Sequence, residues 1–167
     1  KPGAVFLHAL HRLDKEASGI VLFAKTSKAL SRLNQALRQG QWQKTYVATV
    51  EGHLEGETGH LENFLVHGDH TAYVTTADDP VGKVASLDYR VIARERGCST
   101  VEILLHTGRY HQIRVQLAAA GHPVLGDTKY GATRPYSLGG IALHHTSLSF
   151  PHPVSKELLT ITTTALV

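Results

Sequence analysis

Residues 11–25 read HRLDKEASGIVLFAK and place His11, Arg12 and Asp14 shortly before an apolar run. Charged residues usually stay in solvent, whereas IVLFAK, residues 20–25, has the composition of a short core strand. A carboxylate held at the end of such a strand can be a buried ion-pair partner, a metal ligand or a catalytic group. The stretch makes Asp14 the first candidate functional residue and leaves these three roles open.

The segment that follows has the pattern of an amphipathic helix. In TSKALSRLNQALRQG, residues 26–40, leucines recur at helical spacing. Thr26 or Ser27 can cap the start of this helix, and Gly40 can end it. The next segment, KTYVATVEG at residues 44–52, has the alternation and the β-branched content of a strand.

The rest of the chain predicts further strands and one more helix. Residues 53–82 are polar and rich in His and Gly, with short β-like pieces such as TAYVTT. Strands are predicted at 84–95, 99–108, 140–150 and 157–166, and a helix within 108–121. The first two of these strands are joined by a turn at Arg96-Gly97. The elements together indicate an α+β fold with a largely antiparallel sheet and two principal helices.

The composition is that of a globular domain. Hydrophobic residues make up 42% of the chain and charged residues 19%, which argues against disorder. A length of 167 residues suits a single domain spanning 1–167. No apolar run approaches the roughly 18 residues that a membrane span requires, so no membrane partner is expected.

The charge and the cysteine content bear on the class of partner and on the cellular compartment. The net charge of +3 and the pI near 9.1 fit a nucleic acid or an acidic partner without selecting either. The lone Cys98 cannot form an internal disulfide, so the cytoplasm is the expected compartment. The chain contains no methionine and opens with KPGAV, so we expect its start to be trimmed or to lack a preceding segment.

A second charged stretch, HTGRYHQIRVQLAAAGHPVLGDTKYG, occupies residues 106–131. Arg109 and Arg114 flank His111 at a predicted strand-to-helix junction. A helix N-terminus favours anions, and guanidinium groups beside it suit a phosphate or a carboxylate. The alternative is a surface helix whose arginines are merely solvated, and these residues alone do not separate the two interpretations.

The two charged stretches suggest a pairing. Asp14 and Arg114 both lie at the ends of predicted elements, and each is costly to bury alone. If they pair, Arg114 favours the ionised form of Asp14, and only the ionised form of a carboxylate acts as a nucleophile. The contact itself is a hypothesis about positions in space.

Four segments, in order along the chain, resemble motifs of the RluA-type pseudouridine synthases. HRLDKEASGIVLFAK resembles their HRLD-x-x-TSG signature, and KTYVATVEG resembles K-x-Y-x-A-x-V-x-G. GRYHQIRVQLAAAGHPVLGDTKYG resembles GRTHQIR followed by GHP and GD-x-x-YG, and ALHHTSLSFPHP resembles a late LHA and HP segment. A lone HRLD is weak evidence, whereas the ordered set covers nearly the whole chain.

This resemblance implies the pseudouridine synthase fold with an RNA-binding cleft, and a role for each matched residue. Asp14 matches the catalytic aspartate, which either attacks C1′ of the sugar or removes the 2′ proton. Tyr46 matches the tyrosine that packs on the base and is a candidate for proton transfer at C5. Arg114 matches the basic partner of the aspartate, and Leu143 an aliphatic wall of the pocket. The residues expected to contact RNA are Arg12, Lys44, Arg109 and His111.

The implied reaction converts uridine into pseudouridine in structured ribosomal or transfer RNA. Uracil leaves C1′, turns over and rejoins through C5, so neither a redox step nor an organic cofactor is needed. The target base must be accessible in a loop or flipped from its stack. We expect RNA to be the partner, the chain to be a monomer and no cofactor to be required.

The chain departs from the family pattern at several positions. Ala17 and Tyr110 stand where threonine is common, and Gln116 stands where histidine is common. None of them removes a matched catalytic group, although the missing hydroxyl at Ala17 is expected to change how the Asp14 loop is held. The lead before HRLD is also shorter than usual, which supports a trimmed or missing N-terminal segment.

Other functions fit less well. An RNA-binding module that keeps the fold without catalysis would not need Asp14, whose charge repels RNA phosphates. A metal-dependent nuclease needs clustered carboxylates, which Asp78, Asp79 and Asp127 do not provide. Three histidine pairs offer nitrogen ligands for zinc, but they lack a cysteine partner and a four-ligand spacing, so no metal site is predicted. These pairs are His8 with His11, His106 with His111, and His144 with His145.

Overall fold

The computed structural model of the protein describes residues 5–164, which form one large sheet, a small two-stranded sheet and two helices. The strands are β1 (His8–Ala9), β2 (Ser18–Gly19), β3 (Phe23–Ala24), β4 (Gln43–Glu51), β5 (Thr58–His67), β6 (Ala72–Thr75), β7 (Lys83–Glu95), β8 (Cys98–Leu105), β9 (Leu143–Pro151) and β10 (Leu158–Thr162). The helices are α1 (Ser27–Arg38) and α2 (Gln112–Ala119), and a short 3-10 helix covers Thr128–Tyr130.

The large sheet runs in the order β10-β9-β4-β8-β7-β5-β6, with every neighbouring pair antiparallel. Strand β2 pairs in parallel with β9, placing Ser18 opposite His144 and Gly19 opposite His145. This arrangement confirms the predicted α+β class with a largely antiparallel, mixed sheet. The turn at Arg96-Gly97 is also confirmed, since both residues have positive φ as a two-residue hairpin turn requires.

Both helices pack against the same face of the sheet. The α1 residues Leu33 and Ala36 share a core with Leu148 and Phe150 of β9. The α2 residues Ile113 and Leu117 belong to the neighbouring core, which also contains alternate residues of β4, namely Tyr46, Ala48 and Val50. Leu148 pairs directly with Lys44, so the two cores lie on one side of the pleated sheet. The opposite face has no helix on it among the described residues.

Helix α1 begins and ends close to the predicted positions. The hydroxyl of Thr26 accepts a hydrogen bond from the backbone N–H of Ala29 at 3.1 Å, so Thr26 is the N-cap. Gly40 follows the last turn with a φ of +69°, a conformation that glycine adopts at low cost.

Two predicted elements differ in extent. The run at 20–25 is a strand only at Phe23–Ala24, because the backbone of residues 20–22 forms hydrogen bonds with two different segments of the chain. The N–H of Ile20 donates to His145 at 3.1 Å, and the carbonyl of Leu22 accepts from Leu10 at 2.9 Å. The polar region 53–82 contains the ten-residue strand β5, whereas the sequence predicts only short β-like pieces there. Its side chains alternate between exposed and half-buried along the first part of the strand, so they leave little apolar signal.

The last predicted strand, 157–166, is observed at Leu158–Thr162. Residues 165 and 166 of that prediction and the opening KPGA lie outside the described residues. No helix among residues 5–164 is long and apolar enough to cross a membrane.

Candidate active site

A small pocket opens where the loop between β1 and β2 meets β4 and the start of α2. Its volume is about 110 Å³, well below the roughly 300–1,000 Å³ of pockets for drug-sized ligands. A pocket of this size suits a single small ring. The predicted site residues that line it are Arg12, Asp14, Lys44, Tyr46, Arg109, His111 and Leu143. Arg114, the eighth predicted residue, lies directly behind Asp14.

Asp14 sits in a turn of the β1–β2 loop, where its carbonyl accepts a hydrogen bond from the N–H of Ala17 at 3.0 Å. Its side chain is 23% exposed, so the carboxylate reaches the pocket. One carboxylate oxygen, Oδ2, accepts a bond from Arg114 Nη1 at 3.3 Å. The other, Oδ1, lies 4.0 Å from His111 Nε2. Asp14 is therefore held on one side and open on the other.

Arg114 is buried, with its side chain 3% exposed. Its Nε and Nη2 each donate to Asp127 at 2.7 Å in a two-pronged pair. Burial alone would lower the pKa of Arg114, but the hydrogen bonds and charge of Asp127, with the charge of Asp14, outweigh burial and raise it. The guanidinium is therefore a permanent cation behind Asp14. The hypothesis of an Asp14–Arg114 contact agrees with this geometry, although Asp127 is the closer partner.

Tyr46 also lines the pocket. Its ring stacks on His145, with centroids 4.5 Å apart and an angle of 16° between the planes. Burial raises the pKa of the Tyr46 phenol, and the charge of Asp14 raises it further. The phenol is therefore neutral near physiological pH.

The residues predicted to contact RNA differ in exposure. Arg12 and Arg109 are exposed at the pocket, and Lys44 is half-buried. His111 is only 7% exposed; its Nδ1 shares a 2.6 Å hydrogen bond with the Tyr130 hydroxyl. The RNA contact of His111 stays a prediction, and its burial puts that contact at the pocket wall.

Asp127 and Tyr130 are the functional candidates that sequence reasoning missed. Asp127 is 1% exposed and belongs, like Tyr130, to the GDTKYG segment. The Tyr130 ring lies under the Arg114 guanidinium at 5.0 Å and bonds His111 through its hydroxyl. The sequence signal for Asp127 is its place in the matched GD-x-x-YG motif. The sequence interpretation treats this residue only as a candidate metal ligand.

The three departures from the family pattern have structural roles. The N–H of Ala17 closes the Asp14 turn through its backbone, so no hydroxyl is needed for that bond. Tyr110 stacks between His67 and His111 at centroid distances of 4.0 and 3.9 Å. Buried Gln116 donates to the carbonyls of Leu61 and Ala85 at 3.1 Å, which ties α2 to β5 and β7.

Comparison with known proteins assigns the chain to a family. A family model described as RNA pseudouridylate synthase matches residues 3–119, well over half of the chain. The chain belongs to the RluA-type RNA pseudouridine synthases. Among curated relatives, the uncharacterized RNA pseudouridine synthase YhcT of Bacillus subtilis is 38% identical over 153 residues, covering 90% of this chain. Ribosomal large subunit pseudouridine synthase C of Vibrio cholerae is 33% identical over 167 residues, covering 96% of it.

The chain spans about half the length of these relatives, 50% and 52% respectively. Solved structures agree on the fold of this pseudouridine synthase family member. Human RNA pseudouridylate synthase domain containing 1 superimposes with a TM-score of 0.83 and 25% identity, over 95% of this chain and 69% of that one. Human RNA pseudouridylate synthase domain containing 4 gives a TM-score of 0.81 over 95% and 71%, at 24% identity.

Proposed function

We propose that the chain isomerises specific uridines to pseudouridine in structured RNA and that Asp14 is its catalytic carboxylate. One observation carries the proposal: the pocket brings a partly exposed Asp14, hydrogen-bonded to the buried cation Arg114, together with Tyr46. A pure RNA-binding surface gains nothing from a carboxylate in this position, since the carboxylate repels phosphate.

The residues present match the steps that the reaction requires. Uracil must leave C1′, rotate and reattach through C5, and Asp14 can either attack C1′ or remove the 2′ proton. Its Oδ1 is available for this step, while Oδ2 accepts the hydrogen bond from Arg114 at 3.3 Å. The neutral phenol of Tyr46 favours packing against the base over accepting the C5 proton. Base stacking of this kind contributes roughly 1–3 kcal/mol.

A groove next to the pocket supports an RNA strand as the substrate. The groove has a volume of about 660 Å³ and shares Gly108 and Arg109 with the pocket. Lys83 and the stacked rings of Tyr110 and His67 also line it. Cationic and aromatic side chains together suit phosphates and unpaired bases. The relatives named ribosomal large subunit pseudouridine synthase C favour ribosomal RNA as the first substrate to test, with transfer RNA beside it.

The decisive experiment measures tritium release from RNA labelled at uracil C5, with ribosomal and transfer RNA transcripts in parallel. We expect release with the unaltered chain and a loss of at least about 100-fold in Asp14→Asn, as expected when a positioned proton-transfer group or nucleophile is removed. Affinity for RNA, measured by filter binding, should change little, because the substitution removes a negative charge from the pocket.

Glu16→Gln is the matched control. Glu16 is a second carboxylate of the same loop, but it is 53% exposed and 3.5 Å from Arg114, and it does not line the pocket. We expect this variant to keep most of the activity. Full turnover by Asp14→Asn would contradict the catalytic assignment. RNA binding without release by the unaltered chain would favour the module that binds RNA without chemistry.

We further propose that the chain acts as one catalytic domain, as a monomer, in the cytoplasm. The continuous sheet that joins the pocket residues of β4, β8 and β9 supports the first point. The lone, buried Cys98 fits a reducing compartment. Gel filtration of the purified chain tests the monomer.

A further inference from the structure

The helix-free face of the sheet carries three metal-ligating side chains. His60 lies on β5, Asp88 on β7, and His106 immediately follows β8. His60 pairs directly with Asp88 across the strands, and Asp88 pairs with Leu104, two residues before His106. Side chains two residues apart in a strand point to the same face, so the three groups converge. Leu87, the neighbour of Asp88, points the other way into the core beneath the pocket.

The three side chains are in direct contact. His60 Nδ1 lies 2.6 Å from Asp88 Oδ1, and His106 Nε2 lies 2.6 Å from Asp88 Oδ2. The two imidazole rings flank the carboxylate with centroids 6.2 Å apart. One ligand atom from each residue lies within 4.8 Å of the others. Among residues 5–164 no other group of three such side chains comes this close.

We propose that His60, Asp88 and His106 form a binding site for a divalent transition-metal ion of the zinc type, on the sheet face opposite the catalytic pocket. No metal site is predicted from the sequence, because the histidine pairs close in the chain lack a cysteine partner and a four-ligand spacing. His60, Asp88 and His106 are distant in the chain and come together through the register of the sheet. The ion would link β5, β7 and the end of β8.

The ligand set selects the class of metal. Two imidazole nitrogens and one carboxylate oxygen suit Zn²⁺ and its transition-metal neighbours, whereas Mg²⁺ and Ca²⁺ prefer oxygen ligands only. Three protein ligands leave at least one coordination position for water. The site borders a groove of about 570 Å³ with room for that water.

Small movements convert the hydrogen-bonded cluster into a metal site. In a tetrahedral zinc site, bond lengths near 2.0–2.1 Å put ligand atoms about 3.3 Å apart. The side chains of His60, Asp88 and His106 are 51%, 48% and 42% exposed, so they can rotate without disturbing the core. Each imidazole must present a lone pair to the ion and carry its proton on the other nitrogen. For His60 that nitrogen is Nε2, which lies 3.9 Å from a carboxylate oxygen of Glu62; a small rotation would let it donate the hydrogen bond that orients metal-bound histidines.

Zinc titration by isothermal calorimetry, using the full 167-residue chain and Zn²⁺ alone, tests the proposal. We expect one equivalent of Zn²⁺ to bind per chain and to raise Tm, since the ion binds the folded state. His60→Gln and His106→Gln should each weaken binding at least about tenfold, the smallest effect expected even for an outer-shell partner. Nitrogen-15 NMR spectra should shift at residues around His60, Asp88 and His106.

His70→Gln is the matched control. His70 is 87% exposed and faces one aspartate, Asp69, at 3.4 Å, without a second histidine. Its substitution should leave zinc affinity unchanged. The proposal is overturned if no zinc binds, or if binding persists unchanged in His60→Gln and His106→Gln. Several weak equivalents spread over the 12 histidines would also overturn it.

Discussion

Arg114 keeps its charge in the core because Asp127 provides a matching pair of acceptors. An isolated buried charge is too costly to retain, but the 2.7 Å bonds from Nε and Nη2 fix the plane of the guanidinium. That leaves Nη1 to donate the longer, 3.3 Å bond to Asp14. Asp127 therefore positions Arg114. Arg114 in turn donates to one carboxylate oxygen of Asp14, Oδ2.

A double-mutant cycle tests this arrangement. Arg114→Ala should lower the free energy of unfolding by about 3–5 kcal/mol, because it leaves the buried Asp127 carboxylate unpaired, and it should also abolish tritium release. Asp127→Asn should lower stability by a similar amount and reduce kcat more than it changes KM. The two effects should be far from additive when combined, as expected for residues in direct contact.

Urea denaturation and single-turnover tritium release measure the two quantities. Asp69→Asn, at an aspartate side chain that is 95% exposed, is the control and should change neither. A folded and fully active Arg114→Ala protein would refute the ion-pair arrangement.

Among the elements, the short strand β2 gives Ser18 and Gly19, which follow the charged loop, a structural role. β2 lies parallel to β9 and fixes the end of the Asp14 loop to the sheet. Gly19 has a φ of +116°, and a Cβ atom at this position would overlap the backbone of His145. Only glycine allows such a close approach of the two backbones.

We predict that Gly19→Ala destabilises the protein by about 3 kcal/mol or more, since it combines a strained φ with a backbone collision. Activity should fall as well, because the Asp14 loop loses its attachment to β9. Thermal unfolding and the tritium assay measure these effects. Gly121→Ala is the matched control: Gly121 has a φ of +85° with open space around it, so about 1 kcal/mol is expected from the φ alone. Equal losses in the two variants would show that the close approach contributes nothing.

Across the molecule as a whole, four histidines with lowered pKa values link stability to pH. The pKa values of His11, His111, His144 and His145 are all lowered, chiefly by burial. Burial, followed by the charge of Lys44, lowers the pKa of His11 to about 4. Its Nε2 accepts a hydrogen bond from the Leu22 N–H at 3.1 Å, and a proton on that nitrogen would break this bond.

The sign of the pH effect follows from this depression. Between pH 6.5 and 4 the unfolded chain binds a proton at His11 that the folded chain does not, so stability falls as the pH is lowered through this window. The contribution of His11 should be about 1–2 kcal/mol once its partial exposure is allowed for. Urea denaturation at pH 5, 6 and 7 measures the slope, which should be shallower in His11→Gln. Stability that is constant or increases towards pH 5 would contradict the prediction.

Local patterns in the sequence predict the family, the α+β class, the approximate extent of α1 and the set of residues around the pocket. These properties depend on ordered local motifs and on helical spacing, which neighbouring residues specify. Seven of the eight predicted site residues line one pocket, and the eighth, Arg114, contacts Asp14. Their catalytic and RNA-binding roles stay predictions.

The pairing of groups that are distant in the chain emerges only in the folded structure. The tertiary structure made Asp127 the main partner of Arg114, reduced the strand at 20–25 to Phe23–Ala24 and extended β5 to ten residues. It also brought His60, Asp88 and His106 together. The physical reason is that strand register joins residues far apart in sequence, whereas periodicity reports only the local environment of each segment.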